Sequence, residues 1–381
     1  MKLAVCLYKY FPFGGLARDF MRIMQHSLTP GDHVDVFVME WQGEYPEHMH
    51  VHVVPVSGIT NHARLQHFID TVRPTLQQGG YDLVIGFNKM PGLDLYYAAD
   101  PCYIARAASQ PLYGLLKYTG RVAFYADCEE SVFGSSSNTV SLMISDVQKA
   151  LFKQHYNTPE QRLISLPPGI DPNRKRPDDA EQIRMQKRRE LGVRADEWVL
   201  LMVGTGYKTK GVDRSIAALA ALPDSHRGKA KLHVIGDGDT KALKKQAEKL
   251  GVSEQVMFLG GRTDVPAFLL AADLLLHPAR KENTGTVILE AIVAGLPVLV
   301  SDVCGYTKHV VKAQAGEVIK QPDNAALTAE QLANMLEPAA LAQWSMQALE
   351  YAKTEDLYSM PEKAAQIIRR MAGENMRKNS D

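Results

Sequence analysis

The stretch "RKENTGTVILEAIVAGLPVLVSD", residues 280–302, decides the reading of this chain. It is apolar enough to be core, yet Glu282 and Glu290 stand eight residues apart within it. Carboxylates are rarely buried without a partner. The preceding "LLLHPA" reads as a strand and "RKEN" as the loop leaving it. "TGTVILEAIVAG" reads as a helix closed by Gly295, with Pro297 just beyond. Glu282 therefore belongs to the loop and Glu290 to the helix. Both can face a ligand lying across the helix N-terminus, where free N–H groups attract phosphate and Gly285 lets the backbone come close. A carboxylate there accepts hydrogen bonds from vicinal hydroxyls, as on a sugar or a ribose. The competing reading is a structural ion pair for each glutamate, since such networks also bury carboxylates.

Outward from this stretch, short β-rich runs alternate with helical patterns. "LAVCLY", "HVDVFVM", "YDLVIGF", "TVSLMIS" and "LISLPPG" form a first series. "WVLLMVG", "KLHVIGDG", "VMFLGG" and "LLLHPA" form a second, with the helical "VDRSIAALAALP" and "TKALKKQAEKLG" between them. Such alternation implies parallel sheets with helices on both faces. Two series in 381 residues predict an α/β chain of two doubly wound, Rossmann-like domains facing a cleft. The domains are expected at 1–170 and 171–355, with 356–381 a C-terminal helix returning to the first domain and ending in a polar tail. The seam is read as the Pro- and charge-rich run 167–190. Ligands of doubly wound sheets sit at the carboxyl ends of the strands, so chemistry is sought where strands end.

Composition excludes several classes. Forty-three basic residues balance forty-three acidic ones, which argues against a dedicated nucleic-acid binder. The four cysteines are scattered without a CxxC pair, so neither a disulfide framework nor a zinc site is indicated. No apolar run reaches the roughly 18 residues of a membrane span, and "KLAVCLYKY" reads as a strand rather than a signal peptide, so a cytoplasmic location is expected.

Other strand ends carry candidate groups. "FPFGGLARDF" sets Gly14 and Gly15 between a strand and a helix, with Asp19 one turn on; a simple turn and a dipole partner are the plain alternatives. "VGTGYKTKGVDR" is a glycine-bearing loop that opens a helix, and its Lys210 suits a departing diphosphate. "YYAAD" puts Asp100 at a strand end, as a proton acceptor or a cap. Asn88 and Lys89 of "GFNK" could contact an anionic acceptor or simply end the strand. "GDGD", residues 236–239, reads as a turn with a cap rather than a metal site. Residues 102–133 mix Tyr and Phe with Arg106, Lys117 and Arg121, as in a segment lying on an anionic membrane surface; Pro111, Gly114 and Gly120 interrupt its helix.

Residues 282–290 resemble the E-x7-E signature of family 4 retaining glycosyltransferases, whose two-domain fold is called GT-B. "CLYKYFPFGGLARDFMRI", "TNHAR", "GFNKMPGLDLYYAADPCY", "LPPGI" and "KGVDRSIAALAALP" are similar to the lipopolysaccharide core glucosyltransferase I group, from residue 1 to about residue 368. The resemblance implies retaining transfer of a hexose, glucose first, from a UDP-sugar to an inner-core heptose of lipopolysaccharide, an activity of the EC 2.4.1 class. It implies no metal or other cofactor, and a peripheral position on the inner face of the inner membrane. It places Gly14, Gly15, Asp19, Arg174, Lys210, Arg262, Glu282, Thr284, Gly285, Thr286 and Glu290 around the donor, with Glu282 on the sugar and Glu290 on the ribose. Asp100, Lys210 and Glu282 become the catalytic candidates, and Asn88 and Lys89 the acceptor contacts. Two departures stand out. Asn283 and Thr284 occupy the place of a usual aromatic, and Thr209 that of an arginine, for which Lys208 is a candidate substitute. The motifs do not choose among glucose, galactose and N-acetylgalactosamine. Rival readings are an NAD-dependent oxidoreductase, which lacks the complete G-x-G-x-x-G fingerprint here, and a non-catalytic sugar-nucleotide sensor.

Overall fold

The structure, a computed structural model, describes residues 1–12, 14–110, 113–116 and 119–380. The chain divides into two compact units, Met1–Gly169 with Tyr358–Asp381, and Ile170–Leu357. Among the described residues, no helix is long and apolar enough to cross a membrane.

The first unit holds a seven-stranded parallel sheet: β1 Lys2–Cys6, β2 His33–Val38, β3 His50–Val53, β4 Leu83–Gly86, β5 Leu95–Ala98, β6 Val140–Met143 and β7 Leu163–Ser165, in the order β3-β2-β1-β4-β5-β6-β7. The second holds a six-stranded parallel sheet: β8 Trp198–Val203, β9 Ala230–Ile235, β10 Val256–Gly260, β11 Leu274–His277, β12 Val298–Val300 and β13 Gly316–Val318, in the order β10-β9-β8-β11-β12-β13. Parallel strands covered on both faces must be apolar on both, and Leu3, Ala4 and Val5 of β1, like Leu274, Leu275 and Leu276 of β11, are fully buried. In each unit the first strand is central. β1 pairs with β2 and with β4, and β8 with β9 and with β11. The winding therefore reverses beside β1 and beside β8, and each reversal opens a crevice at the carboxyl ends of the strands.

One feature departs from the sequence reading. The charged run 167–190 contains the helix Ala180–Glu190, whose Arg184 and Arg188 both grip Asp273 and donate to the carbonyls of Leu270, Ala271 and Ala272. Its charges close the C-terminal end of the helix Val265–Ala271 instead of keeping a linker solvated. The helix Met360–Ser380 packs on the first unit, burying Ala364, Ala365, Ile368 and Ala372 in the cluster that holds Phe20, Ile23 and Met24 of the helix Gly15–Ser27.

A buried charge pair organises one side of the first unit. Glu129, fully buried on the helix Gly120–Phe133, binds the Lys89 ammonium. It also accepts from the N–H groups of Tyr103 and Ile104 at 2.7 and 3.0 Å and from the Tyr156 hydroxyl at 2.8 Å. One carboxylate thus satisfies the loop after β4 and opens the helix Tyr103–Ala108. Glu129→Ala would strand Lys89 in a buried site, and removing one partner of such a pair costs about 3–5 kcal/mol. Urea denaturation should show that loss; a variant as stable as the parent would mean that the pair does not hold this side together.

Candidate functional site

At the reversal beside β8, two loops meet. The first leaves β8 through Gly204, passes the four-residue helix Tyr207–Lys210 and turns at Gly211. The aliphatic stem of Lys210 lies over Gly204, where a Cβ would sit 3.1 Å from both Cγ and Cε. Gly211, at φ +77°, presses against the second loop: a Cβ there would lie 2.1 Å from the Pro278 carbonyl oxygen. Arg280 of the second loop donates its N–H to the Thr209 carbonyl at 2.8 Å and forks onto Asp213 at 2.6 and 2.7 Å. These contacts fix the place where the two loops deliver their charged groups.

The Lys210 ammonium binds the Glu282 carboxylate directly. Both side chains are mostly buried, at 19% and 13% exposed. Beneath them, fully buried His277 ends β11 with Nε2 3.4 Å from Glu282 Oε2. Burial pushes the Glu282 carboxyl up, but the adjoining His277 ring and the Lys210 ammonium outweigh it and hold it at about 2. Glu282 is therefore ionised across the physiological range. Gly285, at φ +82°, turns the chain into the helix Thr286–Ala294, and the Thr284 carbonyl accepts from the Tyr306 N–H at 2.9 Å. Thr286 is exposed in the first turn of that helix. Glu290, the middle residue of that helix, sits 3.4 Å from Arg174 Nε. Each glutamate of the pair thus faces a cation.

The remaining expected groups of the second unit have other partners. Arg262 forks onto Asp264 at 2.8 and 2.9 Å and lies over the Phe268 ring, beyond β10 and two strands away from β8. Lys208 is exposed beside Lys210. Asp239 accepts from the Lys241 N–H at 2.9 Å, which caps a turn, and the Asp237 carbonyl accepts from the Gly206 N–H.

At the reversal beside β1, a pocket of about 260 Å³ is lined by Tyr8, Asn88, Asp100, Tyr103, Arg106 and Tyr125, among others. Asn88 Oδ1 accepts from the Tyr8 N–H at 2.8 Å, and its Nδ2 lies 3.4 Å from Asp100 Oδ2. The Tyr96 hydroxyl reaches the same carboxylate oxygen at 3.4 Å. Asp100 stands just past β5, which ends at Ala98. Lys89 borders the pocket, but its ammonium is turned inward to Glu129 and the Pro101 carbonyl. Its charge is spent on the fold. Gly14 stands at the N-cap of the helix Gly15–Ser27, where a Cβ would lie 2.8 Å from the Phe11 ring, whereas Gly15 faces open space. Asp19 accepts from the Tyr97 hydroxyl at 2.8 Å. Burial pushes its carboxyl up to about 6, against the opposing pull of Tyr97, Arg22 and Arg18.

Sequence reasoning missed His277, Tyr97 and Glu129. Only His277 left a signal, a polar residue in the otherwise apolar "LLLHPA" that precedes Glu282.

Comparison with known proteins places these sites in a family. Residues 183–350 match the family model for glycosyl transferases group 1. The chain is 45% identical over 369 residues to the lipopolysaccharide glucosyltransferase WaaG of Escherichia coli K12, covering 97% of this chain and 98% of that one. It superposes on a crystal structure of WaaG, a glycosyltransferase involved in lipopolysaccharide biosynthesis, with a TM-score of 0.88 at 44% identity, over 96% of this chain and 99% of the other. Anabaena HepE, in complex with UDP and glucose, shares the fold at a TM-score of 0.73 and 20% identity, over 97% of this chain and 100% of its own. With its two Rossmann-like units the chain has the GT-B fold, and it belongs to the WaaG family of lipopolysaccharide glucosyltransferases.

Proposed function

We propose that the chain transfers a hexose, glucose before galactose or N-acetylgalactosamine, from a UDP-sugar to an inner-core heptose of lipopolysaccharide, with retention at the anomeric carbon. The observation that carries this reading is the Lys210–Glu282 pair at the reversal of the second sheet, where a doubly wound unit takes its ligand. The name of the Escherichia coli relative, a lipopolysaccharide glucosyltransferase, supports glucose as the sugar and lipopolysaccharide as the acceptor class.

In this reading Glu290 accepts from the ribose hydroxyls, with Arg174 orienting it, and Glu282 accepts from the hexose hydroxyls. Lys210, Gly285 and the free N–H groups of Thr286 and its neighbours receive the diphosphate. Thr284 shapes that loop. Arg262, occupied by Asp264, is left out. The bond from the anomeric carbon to the diphosphate oxygen breaks, and a bond to the acceptor oxygen forms on the same face of the sugar. The acceptor proton leaves to Asp100, which Asn88 and Tyr96 hold in place. Lys210 stabilises the charge that develops on the leaving group, so no metal is required for that task.

The same unit that offers the acceptor pocket offers a surface to the membrane. Arg106 and Arg121 are exposed, and Leu115 between them is 74% exposed. Lys117 and Pro111 lie outside the described residues. Cations beside an exposed leucine suit an anionic bilayer surface, which would hold the enzyme on the cytoplasmic face of the inner membrane.

Two experiments test this reading. Mass spectrometry of truncated core lipopolysaccharide, incubated with a panel of UDP-hexoses, should show addition of one hexose. Lys210→Ala should slow that transfer about a hundredfold or more, the scale of losing one preorganised charge-stabilising donor. A chelator should leave the rate unchanged, and Asp237→Asn with Asp239→Asn should be mild. Loss of activity with chelator and its return with manganese would overturn the cation-based mechanism. Separately, Gln in place of Arg106, Lys117 and Arg121 should weaken binding to anionic vesicles by about 1 kcal/mol per charge. Equal vesicle binding by the parent and the triple variant would remove this segment as the anchor.

A further inference from the structure

His277 is a polar side chain where the fold asks for an apolar one. It follows Leu274, Leu275 and Leu276 on β11, and like them it has no exposed surface. Neither Nδ1 nor Nε2 has a hydrogen-bond partner among the described residues. A buried polar group left in that state destabilises the fold, and a leucine would fill the position without the penalty. The nearest acceptor is functional rather than structural. Nε2 lies 3.4 Å from Glu282 Oε2, too poorly aligned to count as a hydrogen bond while Lys210 holds that same oxygen.

The two side chains beside Glu282 differ in what they can do. Lys210 carries its ammonium on a long stem of rotatable bonds that crosses Gly204. His277 is fixed in a strand. A diphosphate arriving at this strand end competes with Glu282 for the ammonium. If Lys210 turned to the diphosphate and nothing replaced it, Glu282 would remain as a mostly buried, unpaired carboxylate, which is strongly unfavourable. A neutral imidazole carrying its proton on Nε2 supplies the missing donor after a small rotation of the carboxylate.

We infer that His277 is a positioning residue of the donor site, a reserve partner that takes over Glu282 when a diphosphate draws Lys210 away. This rests on the donor reading above and adds to it the device by which one lysine can serve two anions in turn. It predicts that the imidazole matters to diphosphate binding only through the charge on Glu282.

Calorimetry of UDP and of uridine against a double-mutant cycle at positions 277 and 282 tests it. His277→Leu should weaken UDP about tenfold or more, as expected when a buried charge loses its partner. Uridine, which has no diphosphate to draw Lys210, should bind His277→Leu as it binds the parent. His277→Gln, which keeps an N–H donor, should restore most of the UDP affinity. In the Glu282→Gln background, where no charge is handed over, His277→Leu should change UDP affinity by less than about threefold. The parent protein labelled with nitrogen-15 in histidine gives an independent reading should a variant fail to fold: the Nε2 resonance of His277 should move on addition of UDP and stay with uridine. Equal loss of UDP affinity in both backgrounds, equal loss for uridine, or an unmoved Nε2 resonance would overturn the inference. Failure of the parent to bind UDP at all would overturn the donor reading and this inference with it.

Discussion

The ion pair between Lys210 and Glu282 is the constraint on which the second unit's site depends. Both charges have left most of their water, so each is tolerated only because the other is there. The pair joins the loop after β8 to the loop after β11, the two segments that flank the reversal of the sheet. Gly204 and Gly211 exist in that geometry because their missing side chains let the lysine stem and the Pro278 carbonyl come close. The result is a carboxylate kept ionised and a cation kept in place before any ligand arrives. In the proposed donor reading, a diphosphate that enters finds a preorganised positive charge, and the sugar it carries finds an acceptor whose orientation is already set.

The first unit solves a related problem in the opposite way. Lys89 also meets a carboxylate, but Glu129 is wholly buried, and its oxygens are shared among an ammonium, two N–H groups and a tyrosine hydroxyl. Nothing there is free to exchange. The charged pair fixes the start of the helix Tyr103–Ala108, and so the wall of the pocket that holds Asp100 and Asn88. One pair is poised at a strand end with a spare donor beneath it. The other is locked beneath a helix.

Much of this was legible in the sequence. Strand and helix alternation gave two parallel sheets because strands covered on both faces must be apolar throughout. The glycines of "VGTGYKTKG" and "ENTGT" marked loops that approach closely, and the E-x7-E spacing singled out the two glutamates that each meet a cation. Two of the four edge strands were not legible. "HVHV" of β3 alternates with polar residues, and "GEV" of β13 is three residues long with a glycine, so neither carries the apolar run of a central strand. Partner choice was illegible too. Lys89 finds Glu129 forty residues away, Arg174 finds Glu290 across more than a hundred, and Arg262 closes on Asp264 next door. Which of these cations keeps a free charge is a tertiary fact. So is the orphaned ring of His277, because a lone histidine in an apolar run does not show what faces it.

A change of partner by Lys210 is the central inference, and a crystal structure with UDP bound tests it most directly. It predicts Lys210 Nζ within about 3 Å of a diphosphate oxygen and parted from Glu282, which has turned to His277. A complex in which UDP is seated while Lys210 remains on Glu282 would contradict it.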